Sequence, residues 1–158
     1  MTPVTFAQNI MLDLYEYLQG TWEFERIIEG HGTAQGMATF KKHAGNPQTL
    51  NYQESGIFHN LAQQAFKVHR EYIYQFEHEH IHVYHARCGE KTDFFFELLL
   101  NTEEQQGAGH HLCVQDHYQA FYQFINTHQF QLNFKVNGPK KDFLIETHYR
   151  KTDGPIPS

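Results

Sequence analysis

Three segments of the chain each place one ionisable side chain among apolar residues that recur at every second position. Trp22, Phe24, Arg26 and Ile28 alternate in the first, Leu50, Tyr52, Glu54 and Gly56 in the second, and Phe66, Val68, Arg70, Tyr72 and Tyr74 in the third, opposite Lys67, His69 and Glu71. A period of two is that of a strand, whose alternate side chains share a face. If the apolar faces point into a core, Arg26, Glu54 and Arg70 point there too. A charge in such a place is costly unless it is paired or hydrated. Two readings follow: an Arg-Glu-Tyr network that satisfies itself, or a site in which Arg26 and Arg70, with tyrosine hydroxyls such as that of Tyr72, hold a carboxylate or similar anion.

A second group, His111, Cys113, Asp116 and Tyr118, carries acid-base and nucleophilic side chains. His111 and Cys113 share a face; Asp116 and Tyr118 share one after an expected turn or bulge near Val114-Gln115. A Cys-His pair can make a nucleophile, and a His with Asp and Tyr can move protons. Alternate side chains on one strand stand about 6–7 Å apart, so direct activation of the cysteine requires a bend. The other reading is a buried polar cluster that satisfies itself. An enzyme of isomerase, lyase or cyclase type using His111, Asp116 and Tyr118 in the same interior is therefore the alternative to a binding protein. His78, His80 and His82 alternate on a face opposite Ile81 and Val83 and should point outward. They bind zinc, copper or nickel only if a further ligand converges from elsewhere, so a solvated face without a metal site is the expectation, with a haem-holding barrel as a further alternative. Gly138-Pro139-Lys140-Lys141 lacks the glycine spacing and following helix of a phosphate loop and reads as a hairpin turn.

The elements that must position these residues begin with a helix over about 5–19. Phe6, Ile10 and Leu14, with Met11, Tyr15 and Leu18, recur at three and four residues, Thr5 can cap its start and Gly20 can end it. The period then changes to two. Strands are expected near 21–29, 34–42, 49–58, 64–75, 79–86, 93–100, 109–114, 117–125, 129–136 and 142–151, with breaks at Gly30-His31-Gly32, Gly45-Asn46-Pro47, Gly89-Glu90, Gly107-Ala108-Gly109 and Asn137-Gly138-Pro139. Nine or ten short antiparallel strands either form a sandwich or close on themselves, and only closure removes the edges. The expected fold is all-β: one domain over 1–158, a closed antiparallel barrel with one N-terminal helix capping an end and a tail over 152–158, frayed from Gly154 to Ser158.

Composition narrows the function classes. Formal net charge is −6 and no Lys/Arg run exceeds two residues, so no footprint for a phosphate backbone is present and nucleic acid is not an expected partner. No apolar run reaches the about 18 residues of a membrane-spanning helix. Gln8, Asn9, Asp13 and Glu16 interrupt the apolar residues of the N-terminus, so a secretory signal is not expected and the cytoplasm is the simpler location. Cys88 and Cys113 form no CxxC pair and are expected as free thiols, small residues of the core. The 14 Phe and 9 Tyr favour half-buried pleated surfaces, hence β over α.

Gly20-Thr21-Trp22 just after the helix, together with Arg150 near the end of the last strand, resembles the calycin superfamily of lipocalins and fatty-acid-binding proteins. In those barrels a Gly-x-Trp tryptophan lies at the helix-plugged end and a basic residue from the final strand packs across it, which the resemblance assigns to Trp22 and Arg150; stacking of that kind is worth roughly 0.5–2 kcal/mol. More closely, Leu18-Gln19-Gly20-Thr21-Trp22, Tyr52-x-Glu54-x-Gly56, His111-x-Cys113-x-x-Asp116-x-Tyr118 and Gly138-Pro139-Lys140-Lys141-Asp142-Phe143 followed by Tyr149-Arg150 are similar to an uncharacterised bacterial family of calycin-like barrels. The resemblance implies a fold and carries no activity or cofactor. With the inward charges it leads to the expectation of a small amphipathic or anionic molecule bound in the barrel interior.

Overall fold

The computed structural model describes residues 13–152 apart from 79 and 114, and at 113 the backbone alone. Ten strands follow in chain order: β1 (Gly20–Ile28), β2 (Gly32–Lys42), β3 (Thr49–Asn60), β4 (Ala65–Glu77), β5 (His80–Arg87), β6 (Glu90–Asn101), β7 (Gln106–Cys113), β8 (Asp116–Asn126), β9 (Gln129–Gly138) and β10 (Lys141–Lys151). Each pairs antiparallel with its chain neighbours, and β1 pairs with β10 as well as β2, so the sheet closes into a barrel rather than splitting into a sandwich. Closure gives every strand a neighbour on both sides, although β6 and β7 pair only over Leu99–Asn101 and Gln106–Ala108. The period-two faces supply the core: Trp22, Phe24, Phe40, Leu50, Phe96, Leu98, Phe124 and Phe130 are all buried, each worth about 1.5–3 kcal/mol relative to exposure.

One end of the barrel is stopped by α1 (Leu14–Leu18), which buries Leu14 and Leu18 in the core. The Trp22 indole Nε1 donates to the Leu18 carbonyl at 2.9 Å, and the Tyr17 hydroxyl donates to the carbonyls of Asn126 and Gln129 at 2.8 and 3.0 Å. The earlier part of the expected helix, with Thr5, Phe6, Ile10 and Met11, lies outside the described residues, as does the tail beyond 152. No helix among the described residues is long and apolar enough to cross a membrane.

Three expectations are corrected by this fold. The cation over Trp22 is Lys151, with its Nζ 5.0 Å from the ring centroid; Arg150 turns to the outer face and meets Glu23 at 2.6 Å. Pleat parity decides this, because Tyr149 points inward and Lys151, two residues on, shares its side while Arg150 does not. Gly107-Ala108-Gly109 is not a break but lies inside β7, and the turn falls at 102–105. A Cβ on Gly109 would stand 2.4 Å from the Glu97 carbonyl oxygen, so glycine there allows β6 and β7 to approach. Cys88, expected in the core, is a free and exposed thiol in the β5–β6 turn, with φ of 52° beside Gly89 at 80°. The side chain of Cys113 lies outside the described residues.

Two features shape the interior around the charged residues. On β2 the inward positions before Phe40 include Ala34, Gly36 and Ala38, and Gly36 faces Gly56 across the β2–β3 ladder. A Cβ on Gly36 would lie 2.1 Å from the Ser55 carbonyl oxygen, so the two strands come closer there than any side chain allows. On β6 the register against β5 slips twice: Val83 pairs with Phe96 and Tyr84 with Phe94, which leaves Phe95 as an extra residue, and a second slip follows between His85 and Ala86. Such bulges re-aim side chains, and this one turns both Phe95 and Phe96 inward while Phe94 faces out.

Candidate binding site at the open end of the barrel

Arg26 and Glu54 meet inside the barrel, 8% and 1% exposed. The guanidinium donates from Nη1 to Glu54 Oε2 at 2.7 Å, from Nη2 to Oε1 at 2.9 Å and from Nε to Thr147 Oγ1 at 2.8 Å. Arg26 comes from β1 and Glu54 from β3, on either side of β2. Their Cα partners on β2 are Ala34 and Ala38, with Gly36 between, so no side chain of β2 obstructs the reach across it. The Tyr52 hydroxyl donates to Glu54 Oε1 and shares a 2.8 Å hydrogen bond with the Tyr149 hydroxyl. Burial alone would raise the Glu54 carboxyl, but the hydrogen bonds and charge of Arg26, with the Tyr52 hydroxyl and the charge of Arg70, outweigh it and hold the carboxyl below its ordinary value. Burial pushes the Tyr149 hydroxyl up to about 12, against the opposing charge of Arg26. This part of the interior is a closed network in which every charge has its counter-charge.

Arg70 is different. It is the Cα partner of Glu54 across β3–β4 and lines the same cavity, yet it stands exposed at the open end. Both oxygens of Glu54 are taken by Arg26, and among the described residues no carboxylate lies within ion-pairing distance of Arg70. Its charge reaches the half-buried His85, whose imidazole sits below its ordinary value: burial is the main cause, Asp93 opposes, and the charges of His111 and Arg70 add to it.

Aromatic rings fill most of the space between. The Phe95 ring lies parallel to Tyr72 (5.9 Å between centroids, 25°) and to Phe134 (5.9 Å, 10°), stacks on His85 at 4.3 Å and receives the edge contact of His111 at 5.4 Å. Tyr72 stacks in turn on Tyr52 at 5.7 Å. The remaining cavity has a volume of about 50 Å³ and is bounded by Arg26, Glu54, Arg70, Tyr72, Phe95 and Phe134 among others.

Of the residues singled out in the sequence, Arg26, Glu54, Arg70 and Tyr72 are thus brought to one cavity. His111, Asp116 and Tyr118 are not among its lining residues. His111 faces Tyr118 across β7–β8 with ring centroids 6.3 Å apart, and the carboxylate of Asp116 meets Lys141 Nζ at 3.1 Å. Asp116 therefore serves the β8–β10 rim through Lys141, and no hydrogen bond links it to His111 among the described residues. Outside, His80 Nδ1 and His82 Nε2 both meet Glu97 Oε2, at 2.8 and 3.0 Å, and His82 Nδ1 meets Glu77 Oε2 at 3.1 Å. No group of three or more side chains suited to hold a metal occurs among the described residues.

Sequence reasoning missed His85, Phe95, Thr147 and Tyr149. For His85 the signal was present, since it follows Ile81 and Val83 at period two. Thr147 and Tyr149 share parity with Ile145 on β10 in the same way. Phe95 carried no such signal, because a bulge inside the run Phe94-Phe95-Phe96 is invisible to alternation.

Residues 18–151 match the model of a protein family described as a family of unknown function. No curated protein sequence matches the chain. Among solved structures, the S-type phycobiliprotein lyase CPES from Guillardia theta is similar over 98% of this chain and 100% of its own, with a TM-score of 0.68 at 8% identity. EF1p2_mFAP2b bound to DFHBI is similar over 90% and 99%, with a TM-score of 0.51 at 12% identity. A protein of unknown function from the DUF3598 family of Nostoc punctiforme is similar over 87% of this chain but 49% of its own, with a TM-score of 0.53 at 12% identity. At these identities the likeness concerns the fold.

Proposed function

Since this chain belongs to DUF6314, a family of unknown function, we propose from the geometry of its interior that it is a calycin-like binding barrel that takes a small anionic molecule at the open end. The observation that carries this is the unequal count of inward charges: two arginines share a cavity with one carboxylate, and both oxygens of that carboxylate are hydrogen-bonded by Arg26, so that Arg70 acts on it through charge alone. Arg70 is left with its five-donor fork facing a space walled by Tyr72 and Phe95. An arginine so placed binds a carboxylate or related anion through two parallel hydrogen bonds while the aromatic wall takes the apolar part of the same molecule. Support from outside the chain is that a barrel of similar fold, EF1p2_mFAP2b, is bound to the small molecule DFHBI.

The test is calorimetric titration of the purified protein with a panel of small carboxylates, repeated with Arg70→Gln. Loss of the charge-assisted pair should weaken binding by about ten- to a hundredfold, the equivalent of about 1.5–3 kcal/mol. No uptake of any carboxylate, or affinities unchanged in Arg70→Gln, overturns the reading.

A further inference from the structure

We infer that the anion is planar and conjugated, and that the Phe95 ring stands in the place such an anion would take. This rests on the anion-binding reading above and deepens it. Ligand cavities for small molecules span about 300–1,000 Å³, whereas the space beside Arg70 is about 50 Å³. A ligand must therefore displace a side chain, and the structure singles out which one.

Tyr72 and Phe134 come from β4 and β9, which stand opposite each other with four strands between them on either side. The Phe95 ring bridges the interior between these two walls and lies nearly parallel to both. It thus fills a slot bounded by two flat faces, the geometry that selects a flat conjugated guest over a flexible chain. Phe95 is also the residue best placed to leave. It is the extra residue of the β5–β6 bulge, and on its other side the β6–β7 ladder extends only from Leu99↔Ala108 to Asn101↔Gln106. Its ring is half-buried at the open end, so rotating it out requires no ladder hydrogen bond to break. The guest would take over the stacking that Phe95 makes with Tyr72, His85 and Phe134, and its anionic group would reach Arg70 in the same cavity.

Two carboxylate probes separate the claims: naphthoate, which is flat, and octanoate, which is a flexible chain. Each is titrated into the wild-type protein, Phe95→Ala, Phe95→Leu and Arg70→Gln. The leucine variant keeps most of the apolar bulk, and urea unfolding followed by Trp22 fluorescence confirms that each protein is folded. The expected result is that naphthoate binds the wild type more tightly than octanoate, and that both Phe95 variants gain about tenfold in naphthoate affinity, near the upper worth of an aromatic pair. If both probes bind equally, or the folded Phe95 variants gain nothing for naphthoate, the inference fails. Should both probes nevertheless be lost in Arg70→Gln, the anion site stands without it. Failure of both probes to bind any of the proteins overturns the anion site itself.

Discussion

Replacing Glu54 by Gln tests the claim that the interior ion pair is structural. Glutamine keeps the shape of the side chain and one acceptor oxygen but removes the charge, so Arg26, 8% exposed, would hold its full charge against a neutral amide. Removing one partner of a buried pair costs about 3–5 kcal/mol. Because the glutamine oxygen can still accept one of the two hydrogen bonds from Arg26, the lower end, about 3 kcal/mol, is expected. That is a large part of the roughly 5–15 kcal/mol that stabilises a domain, and for a chain of this size it lowers Tm by about 6–12 °C. The double variant Arg26→Leu/Glu54→Leu should lose less than the sum of the two single leucine variants, since it leaves no stranded charge. The assay is equilibrium urea unfolding followed by the fluorescence of Trp22, the single tryptophan, which is fully buried at the plugged end, away from the substitution. The pH dependence gives a second readout. The folded Glu54 carboxyl lies below its ordinary value of 4.5, so its contribution is complete above that value and is lost as pH falls through the lower folded one. The gap in stability between wild type and E54Q is therefore constant near neutral pH and narrows in acid, where the protonated glutamate resembles the amide. A loss under about 1 kcal/mol, within the range of a surface pair, or a gap that acid leaves unchanged, refutes the structural role.

Further outcomes follow from particular contacts. Lys151→Ala removes the ammonium from the Trp22 face and from the Tyr17 carbonyl, 2.8 Å away, and should cost about 1 kcal/mol with a shift in tryptophan emission. Arg150→Ala, at an exposed pair with Glu23, should stay within about 0.5 kcal/mol and leave the emission unchanged; the opposite order would return Arg150 to the tryptophan. Gly36→Ala drives a Cβ to 2.1 Å from the Ser55 carbonyl oxygen and 2.6 Å from the Gly56 Cα, neither of which can turn aside. A loss of about 2–3 kcal/mol in thermal unfolding is expected, as for other overpacked sites, and a neutral effect would show that β2 and β3 do not meet so closely. His85 should titrate below its ordinary 6.5 in an NMR pH series. Arg70→Gln should raise that midpoint and Asp93→Asn should lower it further, while insensitivity to Arg70 would detach the arginine from the His85 end of the site.

Side-chain parity is a local property of an extended chain, and it is written in the sequence. Every strand of the barrel was expected close to where it lies, and the inward placement of Trp22, Phe24, Arg26, Tyr52 and Glu54 follows from alternation alone. The expected helix survives among the described residues as Leu14–Leu18, stopping the barrel beside Trp22. Even Lys151 was legible, because it shares parity with Tyr149, although the resemblance pointed one residue away, to Arg150. Which charges cancel is another matter. Arg26 reaches Glu54 over a strand whose inward residues there are Ala34, Gly36 and Ala38, and that encounter depends on the registers of two successive ladders. With Glu54 so engaged, Arg70 is the charge left facing the opening. Phe95 enters the interior only because β6 slips against β5, and a slip leaves no mark in a run of three phenylalanines. Alternation tells each residue which way to face; pairing between distant strands decides what it finds there, and the balance of charge and open space in the barrel is set by that pairing.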